Sequence, residues 1–279
     1  MKKTMGIFMG MLIVCFILFL SGCVGTSADQ NTDNTKITIS MAGGTALVPI
    51  AKETAKQFME NHPNVQIEVS GGGSGFGIKE CGEGRITIGM AGRNLKSEEK
   101  EKYPDLIVYK IGVDGVAIVV NPSNPINDLS KDQVKKIFSG EITNWKNVGG
   151  NDAPINIYTR DEMSGTRDTF WKQALDKGNI TDKSVVVASN GEMKAKISAD
   201  ENGIGYISIG YVDESVKAIK LDGIEPNQEN VKKGIYTVYR PLNLMTKGEP
   251  DGLVKEYIDY VLSPNGQKIV KDKGFLPVK

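Results

Sequence analysis

Apolar and polar residues alternate along this chain with two different periods, and each switch marks a boundary between elements. Ile37, Ile39 and Met41 alternate as a strand, Ala42-Gly43-Gly44-Thr45 forms a turn, and Ile50, Ala51, Ala55, Phe58 and Met59 recur at helical spacing. Val65, Ile67 and Val69 predict a second strand, followed at once by the glycine-rich stretch Ser70–Gly75. Ile86 and Ile88 predict a short third strand that runs into Met90-Ala91-Gly92-Arg93. Leu106–Tyr109 and Val116–Val120 read as two strands around an Asp114-Gly115 turn. Ser130 is a good N-cap for a helix containing Val134, Ile137 and Phe138, and Gly140 is its stop. Val185–Val187, Ile204–Ile207 and Val238–Met245 are further extended stretches, the last interrupted by Pro241. A final helix carries Leu253, Val254, Tyr257, Ile258, Val261 and Leu262 and is closed by Pro264.

The centre of the chain carries the densest chemistry. Ile155, Ile157 and Tyr158 lead as a strand into Arg160-Asp161-Glu162-Met163-Ser164-Gly165-Thr166-Arg167, and Thr169, Phe170, Trp171, Ala174 and Leu175 leave it as a helix. A strand-to-helix turn presents free N–H groups at the positive end of a helix dipole, where anions bind. Ser164 and Thr166 add hydroxyl donors, Gly165 permits close approach, and Arg160 offers a planar fork of donors that Asp161 and Glu162 can hold in place. An ordinary N-capped helix with surface charges fits the same stretch. Strands alternating with helices imply an α/β fold with mainly parallel sheets and ligands at the carboxyl ends of strands. Four glycine- or hydroxyl-rich turns follow strands, around Thr45, Ser74, Gly92 and Ser164, and their convergence would make an anion cage.

Composition narrows the classes. The chain has 279 residues, with 34 Lys and Arg against 34 Asp and Glu, so no basic surface argues for nucleic acid. An anion must then be held by local donors rather than by a broad positive field. Lys2 and Lys3 precede an apolar run from Met5 to Leu20, about 16 residues, which is short beside the roughly 20 of a spanning helix. With Leu20-Ser21-Gly22-Cys23 after it, the segment reads as a secretory signal. Leu-Ser-Gly-Cys resembles the lipobox of prokaryotic lipoproteins, which makes Cys23 the expected lipidation site. Residues 24–35 form a polar tether. Cys15 falls in the signal, so Cys81 is left without a disulfide partner and reads as a small helix residue.

Signals of catalysis are weak. The Gly71–Gly77 stretch has no Lys-Ser/Thr in register for a phosphate-binding loop of the Walker type and lacks G-x-G-x-x-G spacing. Neither Ser74 nor Ser164 lies in G-x-S-x-G. The single histidine, His62, sits at a helix end before Pro63 and reads as a surface residue. Neither a catalytic residue nor a metal site is expected, and no cofactor.

Several separate stretches together resemble the phosphate-binding receptors of ABC phosphate importers (the PstS type). They are Gly44–Pro49, Ser70–Gly75, Asp114–Pro122, Ile137–Trp145, Arg160–Arg167 and Lys247–Pro250, in order from about Ile37 to Val278. The resemblance implies a type II periplasmic-binding-protein fold: two α/β lobes joined by two crossing strands, closing on a ligand in the cleft between them. It places residues 36–115 and 237–279 in lobe one and 116–236 in lobe two, after a signal (1–22) and tether (23–35). Carried over by position, Thr45 with the Ala46 N–H, Ser74 with the Gly75 N–H, Arg160, Ser164, Gly165 and Thr166 would hold inorganic phosphate. At Gly92, where relatives carry aspartate or serine, only an N–H remains. Asp114 is then an alternative proton acceptor, or a simple turn residue, and Ser189 and Asn190 could close over the ligand or cap a helix.

The implied function is an extracytoplasmic receptor, lipid-anchored at the cell membrane through Cys23, that delivers phosphate as a monomer to an ABC permease and ATPase complex. Rival expectations are another tetrahedral oxyanion (sulfate, molybdate or tungstate), a phosphate-ester hydrolase, or a surface sensor on the same fold.

Overall fold

In the computed structural model, which describes residues 36–278, the alternating segments become twelve strands and the 3.6-period segments nine helices. The first half contains β1 (Ile37–Gly43), α1 (Val48–Asn61), β2 (Val65–Gly72), α2 (Ser74–Gly82), β3 (Ile88–Ala91), α3 (Ser97–Lys102), β4 (Leu106–Val120), β5 (Asp128–Leu129) and α4 (Lys131–Ser139). Then come β6 (Asn156–Arg160), α5 (Gly165–Gln173), β7 (Val185–Val187), α6 (Asn190–Ala199), β8 (Gly203–Ser208), β9 (Lys217–Ala218), β10 (Lys220–Leu221) and α7 (Gln228–Lys232). The chain closes with β11 (Tyr239–Lys247), α8 (Gly252–Leu262), α9 (Pro264–Asp272) and β12 (Leu276–Pro277). The expected signal, tether and Cys23 lie outside the described residues.

The main path of the sheet runs β2-β1-β3-β11-β4-β8-β6-β7. The β1–β2, β1–β3, β6–β7 and β6–β8 pairs are parallel, whereas β11 and β4 run antiparallel at the middle. Each side has its own apolar core. One gathers Ile39, Leu47, Phe58, Ile88, Leu244 and Tyr257. The other gathers Val116, Phe138, Trp145, Phe170, Ile204 and Tyr206, with the Phe170 and Tyr206 rings stacked at 4.1 Å. This is the mixed α/β, two-lobed architecture that the resemblance implies.

Three expectations are corrected. Leu106–Val120 is one strand of 15 residues, and Asp114-Gly115 lies inside it rather than in a turn. Asp114 is in register with Arg240 on β11, and their ion pair holds a turn-prone dipeptide extended. That pair sits on the seam, since Ile111 belongs to one core and Val116 to the other. Second, β11 continues through Pro241. Because β3 accompanies β11 only over Asn243–Met245, one edge is open at Pro241 and a residue without N–H is tolerated. Third, α8 does stop at Leu262, before Pro264, but it is not the final helix: Pro264 opens α9, capped by Ser263, whose hydroxyl accepts from Gly266 N–H.

Candidate anion site

The loops at the carboxyl ends of the parallel strands meet on the seam between the two cores. Gly44, Thr45 and Ala46 follow β1, Gly73 and Ser74 follow β2, Gly92 follows β3, Arg160 ends β6, and Ser164, Gly165 and Thr166 follow it. With Arg240 from β11 they line one small, tightly closed pocket. The four turns singled out in the sequence do converge.

The hydrogen bonds around this cavity leave it lined with donors. The Ser74 hydroxyl accepts from Gly92 N–H at 2.9 Å, and Ser164 caps α5 by accepting from Arg167 N–H at 3.2 Å. Thr45 accepts from the Asn190 amide at 3.0 Å, and Thr166 accepts from Arg240 Nη1 at 2.9 Å. A hydroxyl whose oxygen is so engaged keeps its own proton to donate. The N–H groups of Gly165 and Thr166 belong to the first turn of α5 and have no acceptor within the helix.

Arg160 completes the array. It is 2% exposed, with Nε donating to the Val187 carbonyl at 2.9 Å and Nη2 to the Ala188 carbonyl at 2.8 Å. Its Nη1 is buried with no hydrogen-bond partner among the described residues. Burial pulls its pKa down from the usual value, opposed by the nearby charge of Asp161. A buried guanidinium with one unmet donor is a group that needs an acceptor, since burial without one is costly.

Other expected residues stand elsewhere. Asp161 and Glu162 do not hold the Arg160 fork: Asp161 accepts from Met163 N–H, and Glu162 is exposed near Arg167. Gly75 N–H donates to the Met163 carbonyl at 2.9 Å and is not free for a ligand. The Gly92 N–H is likewise spent on Ser74. Ser189 caps α6 by accepting from Glu192 N–H, so its capping role is the one observed. Asp114 lies behind the cavity wall, its Oδ2 taken by Arg240 and its Oδ1 by the Ser208 hydroxyl. Burial pushes the Asp114 carboxyl up, while Arg240, Ser208 and the Ile209 N–H oppose that shift. Arg93 is turned to a bidentate pair with Glu99 at 2.7 Å.

One residue of the site was not singled out, and a second was named only as a candidate beside Ser189. Arg240 is a charge within an otherwise apolar strand (Val238, Leu242, Leu244), and that mismatch was the available signal. Asn190, fully buried, follows Ser189 directly and bridges Thr45, Thr166 and Ser208.

Comparisons with known proteins bear on the family and the fold. A family model described as a PBP superfamily domain matches residues 26–265. The phosphate-binding protein PstS of Bacillus subtilis (strain 168) is 37% identical over 290 residues, an alignment covering 100% of this chain and 95% of that protein. A Clostridium perfringens structure, described as a phosphate ABC transporter substrate-binding protein with bound phosphate, superposes with a TM-score of 0.82 at 41% identity over 87% of this chain and 100% of that one. An ABC-type phosphate transport receptor from Vibrio cholerae gives a TM-score of 0.71 at 34% identity, covering 85% and 99%. Extensive coverage at this level of identity, on the same two-lobed frame, makes the chain a member of the PstS family of phosphate-binding proteins within the PBP superfamily.

Proposed function

We propose that this chain is a receptor that holds inorganic phosphate between its two lobes and hands it to an ABC importer. The observation that carries the reading is the unmet Nη1 of buried Arg160, a residue that lines one small pocket together with Thr45, Ser74, Ser164 and Thr166. A small anion with four acceptor oxygens satisfies such an array, each charge-assisted bond contributing about 1.5–3 kcal/mol. The first-turn N–H groups of α5 add the favourable end of a helix dipole. The names of the relatives, binding proteins and transport receptors rather than hydrolases, support a role in capture.

In this reading the lobes are residues 36–115 with 237–279, and 116–236, and β4 and β11 are the crossing strands. No helix among the described residues is long and apolar enough to cross a membrane. Attachment to the outer face of the cell membrane would come from lipid on Cys23, following cleavage after Gly22. Calorimetric titration of the full chain in detergent with phosphate, sulfate, molybdate and tungstate tests the reading. Micromolar or tighter binding of phosphate is expected, and absence of heat from every one of these ions would remove the function.

A further inference from the structure

Arg240 occupies space that a side chain at position 92 would need. A Cβ on Gly92 would stand 3.0 Å from Arg240 Nη1, 3.2 Å from its Cζ and 3.4 Å from its Nε. The guanidinium cannot retreat freely, because Nε and Nη2 hold Asp114 Oδ2 at 3.0 and 2.8 Å while Nη1 holds Thr166 at 2.9 Å. Nη1 also reaches towards the Gly92 carbonyl at 3.4 Å. The side chain is nearly fully buried and lines the same cavity as Arg160.

The charge arrangement is lopsided. Among the described residues the cavity lining contains two guanidinium groups and no carboxylate. The carboxylate that balances Arg240 stands on the far side of it, with both oxygens engaged. We propose that Arg240 is a specificity-determining residue of the anion cavity, admitted there by the missing side chain at position 92, and that it makes the site prefer a doubly charged tetrahedral oxyanion over a singly charged one. The proposal rests on the phosphate-receptor reading and adds to it the charge state that is taken. Two positive groups facing one small ion in a desolvated space reward a second negative charge more than bulk water does. A ligand that keeps a proton has only hydroxyl and carbonyl oxygens to receive it, most of them already accepting other bonds.

The groups that face Arg240 are Asp114 on β4, Arg160 on β6 and the Tyr211 hydroxyl, and it shares a second pocket with Arg93, Asp168 and Lys172, of which Arg93 is paired with Glu99 and Lys172 with Asp168. The titration that matters is the ligand's own, between singly and doubly charged phosphate. Protonation of Asp114 at low pH would act in the opposite sense, by making the cavity more positive and improving anion binding in acid. The direction of the pH effect therefore separates the two.

The test is calorimetric titration of inorganic phosphate into the full chain in detergent at about pH 5 and pH 8, for the unaltered protein, Arg240→Gln, Arg240→Lys and Gly92→Ala. The unaltered protein is expected to bind about tenfold or more tightly at the higher pH. Arg240→Gln should lose about tenfold or more at pH 8 and clearly less at pH 5, collapsing the ratio, while Arg240→Lys keeps part of it. Gly92→Ala leaves every charge in place and should move the ratio in the same direction, by displacing the guanidinium. It also covers the case in which Arg240→Gln leaves Asp114 unpaired and fails to fold. Equal loss at both pH values, or no loss in Gly92→Ala, would overturn the proposal and leave Arg240 with only a structural role. Failure of the unaltered chain to bind phosphate at either pH would instead overturn the receptor reading.

Discussion

Asn190 Nδ2 donates to the Thr45 hydroxyl at 3.0 Å, joining residues 145 positions apart on opposite sides of the cleft. The Asn190 backbone N–H supports the same oxygen at 3.3 Å, its Oδ1 accepts from Ser208 N–H, and the Tyr211 hydroxyl donates to the Thr45 carbonyl at 2.6 Å. One of the contacts that draw the lobes together is thus made by a residue of the anion site, beside the Gly75–Met163 and Arg240–Thr166 bonds. Asn190→Ala should weaken phosphate binding by about 1–3 kcal/mol, because Thr45 loses its partner and Ser208 N–H is left buried without one. Small-angle scattering with phosphate present should report a more open molecule; an unchanged profile and affinity would remove the bridge from the mechanism.

Arg160→Ala removes the one guanidinium anchored by two backbone carbonyls and still holding a free donor. A loss of about 2–5 kcal/mol in phosphate affinity is expected, as for deleting one partner of a buried charge pair. Calorimetry giving wild-type affinity in a folded variant would take Arg160 out of the site.

Gly165 permits the lobes to touch. A Cβ there would collide with the Ser74 hydroxyl and stand 2.9 Å from the Gly92 carbonyl, both across the cleft. Gly165→Ala should therefore fold normally yet bind phosphate poorly, since closure stops short. Its circular dichroism and melting temperature are expected to stay near those of the parent. Tight binding in this variant would mean that the lobes close by some other path.

Phe138 is fully buried beside Phe170, their ring centroids 4.8 Å apart. Phe138→Ala should cost about 3–5 kcal/mol of stability, read as a lower urea midpoint. A shift well under 1 kcal/mol would mean that this core collapses around the gap.

Tyr211 is pushed up to about 12 by burial and by the charge of Asp114. Its folded pKa lies above the ordinary phenol value of 10.0, so its contribution to stability is fully present below about pH 10. That contribution is lost as pH rises towards about 12, because the unfolded chain releases its phenol proton first. Unfolding free energy should fall across this window, and Tyr211→Phe should flatten part of the fall. An identical alkaline profile in the variant would assign the effect to other tyrosines.

Much of the site was legible because its residues come in local groups. Ser164, Gly165 and Thr166 announce a helix N-terminus after an alternating strand, and the turns at Thr45 and Ser74 do the same on the other lobe. What could not be read depends on partners distant in sequence. The fork of Arg160 is held by backbone carbonyls, which no side-chain pattern reveals. Asp114-Gly115 looks like a turn until Arg240, 126 residues away, pairs with it in register. Pro264 reads as a stop, which it is for α8, and only Ser263 capping the next turn reveals that it also starts α9. Ser189 and Asn190 are adjacent candidates at a helix start, and the cap takes the first while the bridge takes the second.

The unbroken run of β4 through both cores has a mechanical consequence. Halves linked by two strands, β4 laid against β11 from Leu106 to Gly115, are joined by a stiff ribbon rather than by slack loops. Relative movement must come from a change of twist shared among several peptide units, as in a leaf spring. Such an elastic joint gives a modest, repeatable swing on the microsecond-to-millisecond scale of domain motions, without any ladder bond having to melt and re-form.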